Sequence, residues 1–128
     1  MKIYLAAKFT EQPLMKEWRK LLIANGHEVT SRWLDVIETD LTTTQPQAEA
    51  EKDLEDINRA DIVLSKTLNR GELFTGGGRH IEFGYAYAKG KDLINVGGYE
   101  SVFHKLPQVV TVEKIEDAIE WINGKAAI

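Results

Sequence analysis

The stretch "KIYLAA", Lys2 to Ala7, sets the fold class of this 128-residue chain. Its apolar and β-branched character predicts a buried first strand from Lys2 to Ala6. A helix is predicted directly after it, because Thr10 can cap a helix, Pro13 suits a first turn and apolar residues recur at helical spacing. The apolar positions are Leu14, Trp18, Leu21 and Leu22, and Gly26 is expected to end this helix.

The alternation of strand and helix continues along the rest of the chain. "HEVTS", "DIVLS", "DLINV" and "QVVTV" predict four more strands, and helices are predicted before the third and fourth strands and after the fifth. The polar segment Thr39 to Gln47 is expected to be flexible, and Gly124 is expected to close the last helix. This order predicts an α/β fold: a flavodoxin-like, doubly wound, five-stranded parallel sheet with helices on both faces.

The composition limits the classes of protein to consider. Residues 1–128 are expected to form one domain, with 43% hydrophobic and 28% charged residues, ordinary values for a globular protein. Neither a membrane-spanning run nor a leader segment is recognisable, so we expect a cytoplasmic protein. The absence of cysteine excludes disulfides and thiol catalysis. A net charge of -4 predicts neither a nucleic-acid partner nor a membrane partner.

The predicted sheet places several residues where ligands bind, because doubly wound sheets bind ligands beyond the carboxyl ends of their strands. From the segment Tyr4 to Phe9, at the end of the first strand, we select Ala6 and Phe9 as substrate-binding candidates. Trp33 follows the second strand, where its ring could stack on a flat base, although core packing is the commoner role of such a residue. The other segments at the carboxyl ends of predicted strands are Ser31 to Asp35, Ser65 to Glu82 and Val96 to Tyr99.

Glu82 stands among apolar residues in "TGGGRHIEFGYAYAKGK", Thr75 to Lys91. One interpretation is a solvated glutamate in a first helical turn. The other is a functional carboxylate, because the neighbours of Glu82 indicate a helix covered on more than one side, and carboxylates are rarely buried without a partner. A position near a helix start would also favour the ionised form that a nucleophile needs.

The three glycines before this helix allow two interpretations. Gly76 and Gly78 could let backbone N–H groups approach a phosphate, with Arg79 beside them, or they could form a turn. Their spacing matches neither the dinucleotide-binding fingerprint nor the P-loop. The histidines His27, His80 and His104 lack the spacing of a metal site, so we expect no metal and no cofactor.

Tyr4 and Asp61 have ordinary structural roles when each is taken alone. A tyrosine in a buried strand is usually part of the core, with its hydroxyl hydrogen-bonded. Asp61 opens the third strand, where it could cap the turn at the amino end of that strand.

Three segments together resemble the nucleoside 2-deoxyribosyltransferase superfamily, which includes the 2′-deoxynucleoside 5′-phosphate N-hydrolases. They are "KIYLAAKF", "DLEDINRADIVLS" and "GGGRHIEFGYAYAKGK". The resemblance implies that Glu82 attacks C1′ of the sugar as the base departs, that Tyr4 orients Glu82 and that Asp61 assists. It also implies a nucleoside or nucleotide as the small-molecule substrate, and a homodimer or larger homo-oligomer whose neighbouring subunit completes the site.

The chain departs from the family at Gly76, where transferases tend to carry aspartate and nucleotide hydrolases serine. Arg79 and His80 could serve a 5′-phosphate, which would favour hydrolysis. The favoured prediction is transfer of deoxyribose from one base to another. The alternatives are hydrolysis of a 2′-deoxynucleoside 5′-monophosphate, with water as acceptor, and a non-catalytic nucleotide-binding module.

Overall fold

A computed structural model describes residues 1–37, 46–67, 77–98 and 100–127 of the chain. Within these residues one sheet of five parallel strands has the order β2-β1-β3-β4-β5. The predicted flexible segment lies outside the described residues except for Pro46 and Gln47, which begin a helix. The strands are β1 (Lys2–Ala6), β2 (Glu28–Val29), β3 (Ile62–Lys66), β4 (Asp92–Val96) and β5 (Val109–Val112).

In the described part of the chain, four α-helices cover both faces of the sheet: α1 (Gln12–Ala24), α2 (Pro46–Arg59), α3 (Gly78–Ala88) and α4 (Ile115–Ala126). Helices α2 and α3 contact each other and both contact β1. Just after α1, His27 Nε2 donates to Asn123 Oδ1 of α4 at 2.7 Å, and Asn123 Nδ2 donates to Asn25 Oδ1 at 3.1 Å. The pairs α2–α3 and α1–α4 therefore lie on opposite faces, which confirms the predicted doubly wound fold.

The register of the central strands decides which side chains face α2 and α3. Tyr4 of β1 lies beside Val63 of β3, and Val63 lies beside Leu93 of β4. Side chains alternate along a strand, so these three face one side and Ile3 and Leu5 face the other. All five side chains are buried, as continuous apolar strands in a parallel sheet require.

Helix α1 differs from its prediction at its start and in its buried face. Phe9–Glu11 form a short 3₁₀ helix, so α1 begins at Gln12 and Thr10 does not cap it. Trp18 and Leu22 are buried as expected, together with Met15, whereas Leu14 and Leu21 are exposed. The buried stripe of α1 therefore consists of Met15, Trp18 and Leu22, at i, i+3 and i+7.

Helix α4 also differs, because it continues through Gly124 to Ala126. A glycine inside a helix costs only about 1 kcal/mol relative to alanine, and the buried Ile119 and Ile122 secure this helix. None of the described helices is long and apolar enough to cross a bilayer.

Strand β2 is short, and its end positions the next segment over the sheet. The Thr30 N–H donates to the Ile3 carbonyl at 2.8 Å, and the Leu5 N–H donates to Ser31 Oγ at 2.6 Å. The serine hydroxyl thus replaces a backbone partner where β2 stops. The chain then turns into the short 3₁₀ helix Arg32–Asp35, which places Trp33 at the carboxyl end of the sheet.

Candidate active site

The Tyr4 hydroxyl donates a hydrogen bond to a carboxylate oxygen of Glu82. Tyr4 is completely buried in β1, and Glu82 lies on the face of α3 that crosses this strand. The two residues proposed from the sequence to act together are therefore in contact.

Glu82 opens onto a cavity of about 400 Å³ at the carboxyl end of β1. This volume lies within the range of small-molecule sites. The loop after β1, the segment after β2, helix α2 and the start of α3 all contribute to its wall. The lining residues are Ala7, Lys8, Phe9, Thr10, Trp33, Asp53, Gly77, Gly78, Arg79 and Glu82.

Phe9 and Trp33 form an aromatic wall on one side of this cavity. Their ring centroids lie 6.2 Å apart, with the ring planes inclined by 44°. The Trp33 indole N–H donates to the Leu5 carbonyl at 2.8 Å, and the Gln12 amide donates to the Trp33 carbonyl at 2.9 Å. The indole is thereby fixed in orientation while part of its face borders the cavity.

Asp53 is a site residue that the sequence analysis missed. It lies on α2, one turn before the buried pair Asp56 and Ile57, and it lines the cavity together with Glu82. Its spacing of four residues from Ile57 places it on the covered face of α2. This spacing within "DLEDINRADIVLS" could have indicated from the sequence that Asp53 faces the sheet.

Burial controls the protonation of Glu82. The pKa of this carboxyl is raised to about 8, first by desolvation; the Tyr4 hydrogen bond opposes this shift, and the charge of Asp53 adds to it. The expectation that a helix start keeps Glu82 ionised is wrong. Glu82 is the fifth residue of α3, and the dipole effect falls off within the first turn.

Tyr4 remains a hydrogen-bond donor over the whole working range of pH. Its burial, followed by the nearby Glu82 charge, raises the pKa of its phenol far above the ordinary value. A protonated phenol can only orient Glu82 and stabilise its ionised form. It does not act as a base.

The Asp53 carboxyl has its pKa raised to about 6, first by burial and then by the charges of Asp56 and Glu49, while Arg32 opposes the shift. Asp53 and Glu82 therefore titrate as an interacting pair. Between about pH 6 and 8 this pair holds one proton. The lower pKa of Asp53 places this proton mainly on Glu82, so the form with ionised Glu82 and protonated Asp53 is the minor one of the two.

Asp61 does not lie with these residues, which corrects the prediction that it assists at the site. It precedes β3 at the amino edge of the sheet, where its carboxylate accepts the Lys2 N–H at 2.9 Å. The whole length of the strand separates it from the carboxyl edge. The alternative capping interpretation describes its position, and Asp53 stands in the cavity instead.

The other predicted binding residues divide into three groups. Phe9, Trp33, Gly78 and Arg79 line the cavity. Ala6 does not line it: the residue is fully buried beside Ser65, and the following Ala7 takes its place. Gly76 lies outside the described residues.

Arg79 joins the cavity to a second group of charges. Its guanidinium is buried and forms an ion pair with Glu100 at 2.5 Å, and His80 lies 3.6 Å from the same carboxylate. Burial and the Arg79 charge lower the pKa of His80 despite Glu100. Near neutral pH this arrangement favours a neutral His80 beside the Arg79–Glu100 pair.

The described residues contain no group of three or more His, Asp or Glu side chains able to hold a metal ion. The chemistry that the cavity offers is that of two carboxyl groups in different protonation states. One can attack a carbon atom and the other can donate a proton to a leaving group.

The fold is shared with solved structures at low sequence identity. A CMP N-glycosidase of Clostridium botulinum is 20% identical with a TM-score of 0.64, over 96% of this chain and 98% of that one. A 2-deoxyribosyltransferase of Bacillus psychrosaccharolyticus is 22% identical with a TM-score of 0.68, over 93% and 90%. A 2-deoxyribosyltransferase of Leishmania mexicana is 22% identical with a TM-score of 0.55, over 74% and 63%. No protein-family model and no curated protein sequence matches the chain.

Proposed function

We propose that this chain is an enzyme that cleaves the N-glycosidic bond of a 2′-deoxynucleoside and passes the sugar to another base. The observation that carries the proposal is the Tyr4–Glu82 hydrogen bond beside Asp53, at the wall of a cavity large enough for a small molecule. The fold that the chain shares with a 2-deoxyribosyltransferase and a CMP N-glycosidase supports it.

In the first step the ionised Glu82 attacks C1′ of the deoxyribose, and the bond from C1′ to the base nitrogen breaks. The electrons of that bond remain on the base, which receives the proton of Asp53. The product is an ester between Glu82 and the sugar. This is the double-displacement chemistry of a retaining glycosidase, in which a carboxylate captures an oxocarbenium-like centre.

In the second step a new base attacks C1′ of the ester. Its nitrogen gives up a proton to Asp53, and the Glu82 carboxylate is released in its original form. Phe9 and Trp33 provide apolar ring surfaces against which both the leaving and the entering base can pack. The cycle balances without a cofactor.

A second candidate function is hydrolysis of a 2′-deoxynucleoside 5′-monophosphate, with water in place of the second base. It is favoured by Lys8 and by the start of α3, because Gly77 and Gly78 bring helix-terminal N–H groups to the cavity. The Arg79–Glu100 pair weighs against it, since the buried arginine charge is already balanced. A non-catalytic nucleotide-binding module is the third candidate.

We propose that the active form is a homodimer or larger homo-oligomer, as the family resemblance implies. Helix α3 was expected to be covered on more than one side, yet Ile81 is 71% exposed and Tyr87 is 41% exposed. Val102 and Phe103 are exposed as well, and Tyr87 and Phe103 line a second cavity of about 750 Å³. A second copy of the chain would cover this apolar surface.

A single domain and a cytoplasmic location remain part of the proposal.

The experiment that tests the proposal measures free base and new nucleoside by chromatography. The protein is incubated with 2′-deoxynucleosides, with and without a different acceptor base, and then with the 5′-monophosphates. A new nucleoside that forms only with acceptor supports transfer, and base released from the monophosphates alone supports hydrolysis. Glu82→Gln is the matched control that removes the nucleophile. If base never appears in any reaction, the binding-module candidate replaces the proposal.

A further inference from the structure

Asp56 is a buried carboxylate that joins two segments of the candidate site. Its side chain is completely buried on α2, three residues after Asp53. It accepts hydrogen bonds from the Arg32 backbone N–H at 2.9 Å, from Arg32 Nε at 2.8 Å and from Arg59 Nη2 at 2.7 Å. A backbone donor and two guanidinium groups therefore satisfy one carboxylate.

The two segments that Asp56 connects each carry a residue of the cavity wall. Arg32 starts the 3₁₀ helix whose next residue is Trp33, and Asp53 lies one turn before Asp56 on α2. We propose that Asp56 is a positioning residue, which holds the aromatic wall and the proton-donating carboxyl in a fixed relation around Glu82. This role rests on the proposed function.

Stability alone does not account for this choice of residue. A buried ion pair is often no more stabilising than apolar residues of similar volume, because the charges lose hydration on burial. Asp56 also bonds to the backbone N–H of Arg32, which fixes the start of the 3₁₀ helix relative to α2. This directional bond fixes the distance between the Trp33 wall and the Asp53 wall of the cavity, which a non-directional apolar contact would not do.

Asp56 also affects Asp53 through its charge, in addition to the hydrogen bonds that hold the two segments together. Glu49 and Asp56 act on Asp53 from its own helix, Arg32 from the 3₁₀ helix and the Tyr4–Glu82 pair from β1 and α3. Lys8, from the loop after β1, and Arg79, from the start of α3, line the same cavity as Asp53. Asp56 raises the pKa of Asp53, and Arg32 lowers it. Removing the Asp56 charge while both arginines remain would make Asp53 give up its proton at lower pH.

Asp53 must hold its proton while Glu82 is ionised, so the gap between the two titrations determines the productive fraction of the enzyme. Each additional pH unit between the two titrations lowers that fraction about tenfold. Asp56 narrows the gap between the two pKa values, because its charge raises the lower pKa, that of Asp53, without shifting that of Glu82.

The test compares kcat/KM against pH for the wild type and three variants. We expect Asp56→Asn to move the acid limb down by about one pH unit and to lower kcat/KM near neutral pH about tenfold. Arg59→Gln leaves the Asp56 charge less balanced, so the acid limb should move up. Glu55→Gln, which removes an exposed partner of Arg32, is the control and should leave both limbs in place. The alkaline limb should stay fixed in all three variants.

Two further measurements keep the inference testable. Arg59 is more than half exposed, so Arg59→Gln should fold even if Asp56→Asn does not. Carbon NMR of the Asp53 carboxyl, identified by its loss in Asp53→Asn, follows the same titration without turnover. If wild-type turnover is absent, the proposed function fails while this titration still tests Asp56. The inference is overturned if Asp56→Asn and Arg59→Gln leave the Asp53 titration unchanged or shift it in the same direction.

Discussion

The Tyr4 hydroxyl and the Glu82 carboxylate, 78 positions apart in the chain, form a direct hydrogen bond between β1 and α3. Burial keeps the phenol protonated and raises the pKa of the carboxyl, so the bond stabilises the ionised state of a group that its surroundings would neutralise. The phenol thus opposes the desolvation of the proposed nucleophile.

Tyr4→Phe removes this donor and retains the ring that fills the core. A hydrogen bond to a charged group contributes about 1.5–3 kcal/mol, so we expect kcat/KM to fall by about 10- to 100-fold. Because the Tyr4 hydrogen bond lowers the pKa of Glu82, its loss should move the alkaline limb of the kcat/KM profile to higher pH. The melting temperature should change little. Steady-state kinetics together with a thermal melt measure both. Unchanged kinetics would make Tyr4 a core residue only.

Asp53→Asn removes the proposed proton donor, and general acid catalysis contributes about 10²–10⁴-fold. We therefore expect a loss of that size in turnover of substrates whose base leaves poorly. Asp61→Asn is the matched control, because Asp61 lies at the opposite edge of the sheet, and its activity should remain within about twofold of wild type. A large loss in Asp61→Asn with little loss in Asp53→Asn would reverse this assignment.

The pH dependence of kcat/KM should be bell-shaped, with limbs near pH 6 and pH 8. Below the lower limb both carboxyls are protonated, and Glu82 cannot attack. Above the upper limb both are ionised, and Asp53 cannot donate a proton. Initial rates at low substrate concentration over this range provide the profile. An activity that still rises well above pH 8 would contradict the need for a protonated Asp53.

Glu82 should also make the folded protein less stable as pH rises. Its folded-state pKa, about 8, lies above the ordinary value of 4.5, so the folded state binds more protons than the unfolded state between these values. The free energy of unfolding therefore falls with rising pH in that window. Denaturant titrations should show a weaker fall for Glu82→Gln, which should also lack turnover. Equal pH dependence in both proteins would place Glu82 in a more hydrated environment.

The sequence was sufficient to predict the fold because each strand carries its own apolar run and each helix its own period. It singled out Glu82 because this carboxylate stands among apolar residues, whereas the role of Tyr4 came only from the family resemblance. The start of α1 was not predictable in the same way, since a 3₁₀ turn at Phe9–Glu11 depends on how the loop packs.

The sequence did not separate Asp53 from Asp61, since both stand in one acidic segment. The choice depends on the direction in which α2 approaches the sheet, and that direction is a tertiary property. The Asp61 carboxylate accepts a hydrogen bond from the Lys2 backbone N–H of β1, whereas Asp53 lines the cavity. The pKa of Glu82 was also inaccessible, because the desolvation that raises it comes from residues distant in the chain.

The most direct test of the account is whether Glu82 carries the sugar during turnover. Wild-type protein mixed with a 2′-deoxynucleoside is quenched in acid over a series of short times, digested and examined by mass spectrometry, with Glu82→Gln as the control. The account predicts a peptide containing Glu82 that is heavier by one deoxyribosyl group, absent from the control. Release of free base at every quench time while Glu82 remains unmodified, or an adduct on another residue, would contradict it.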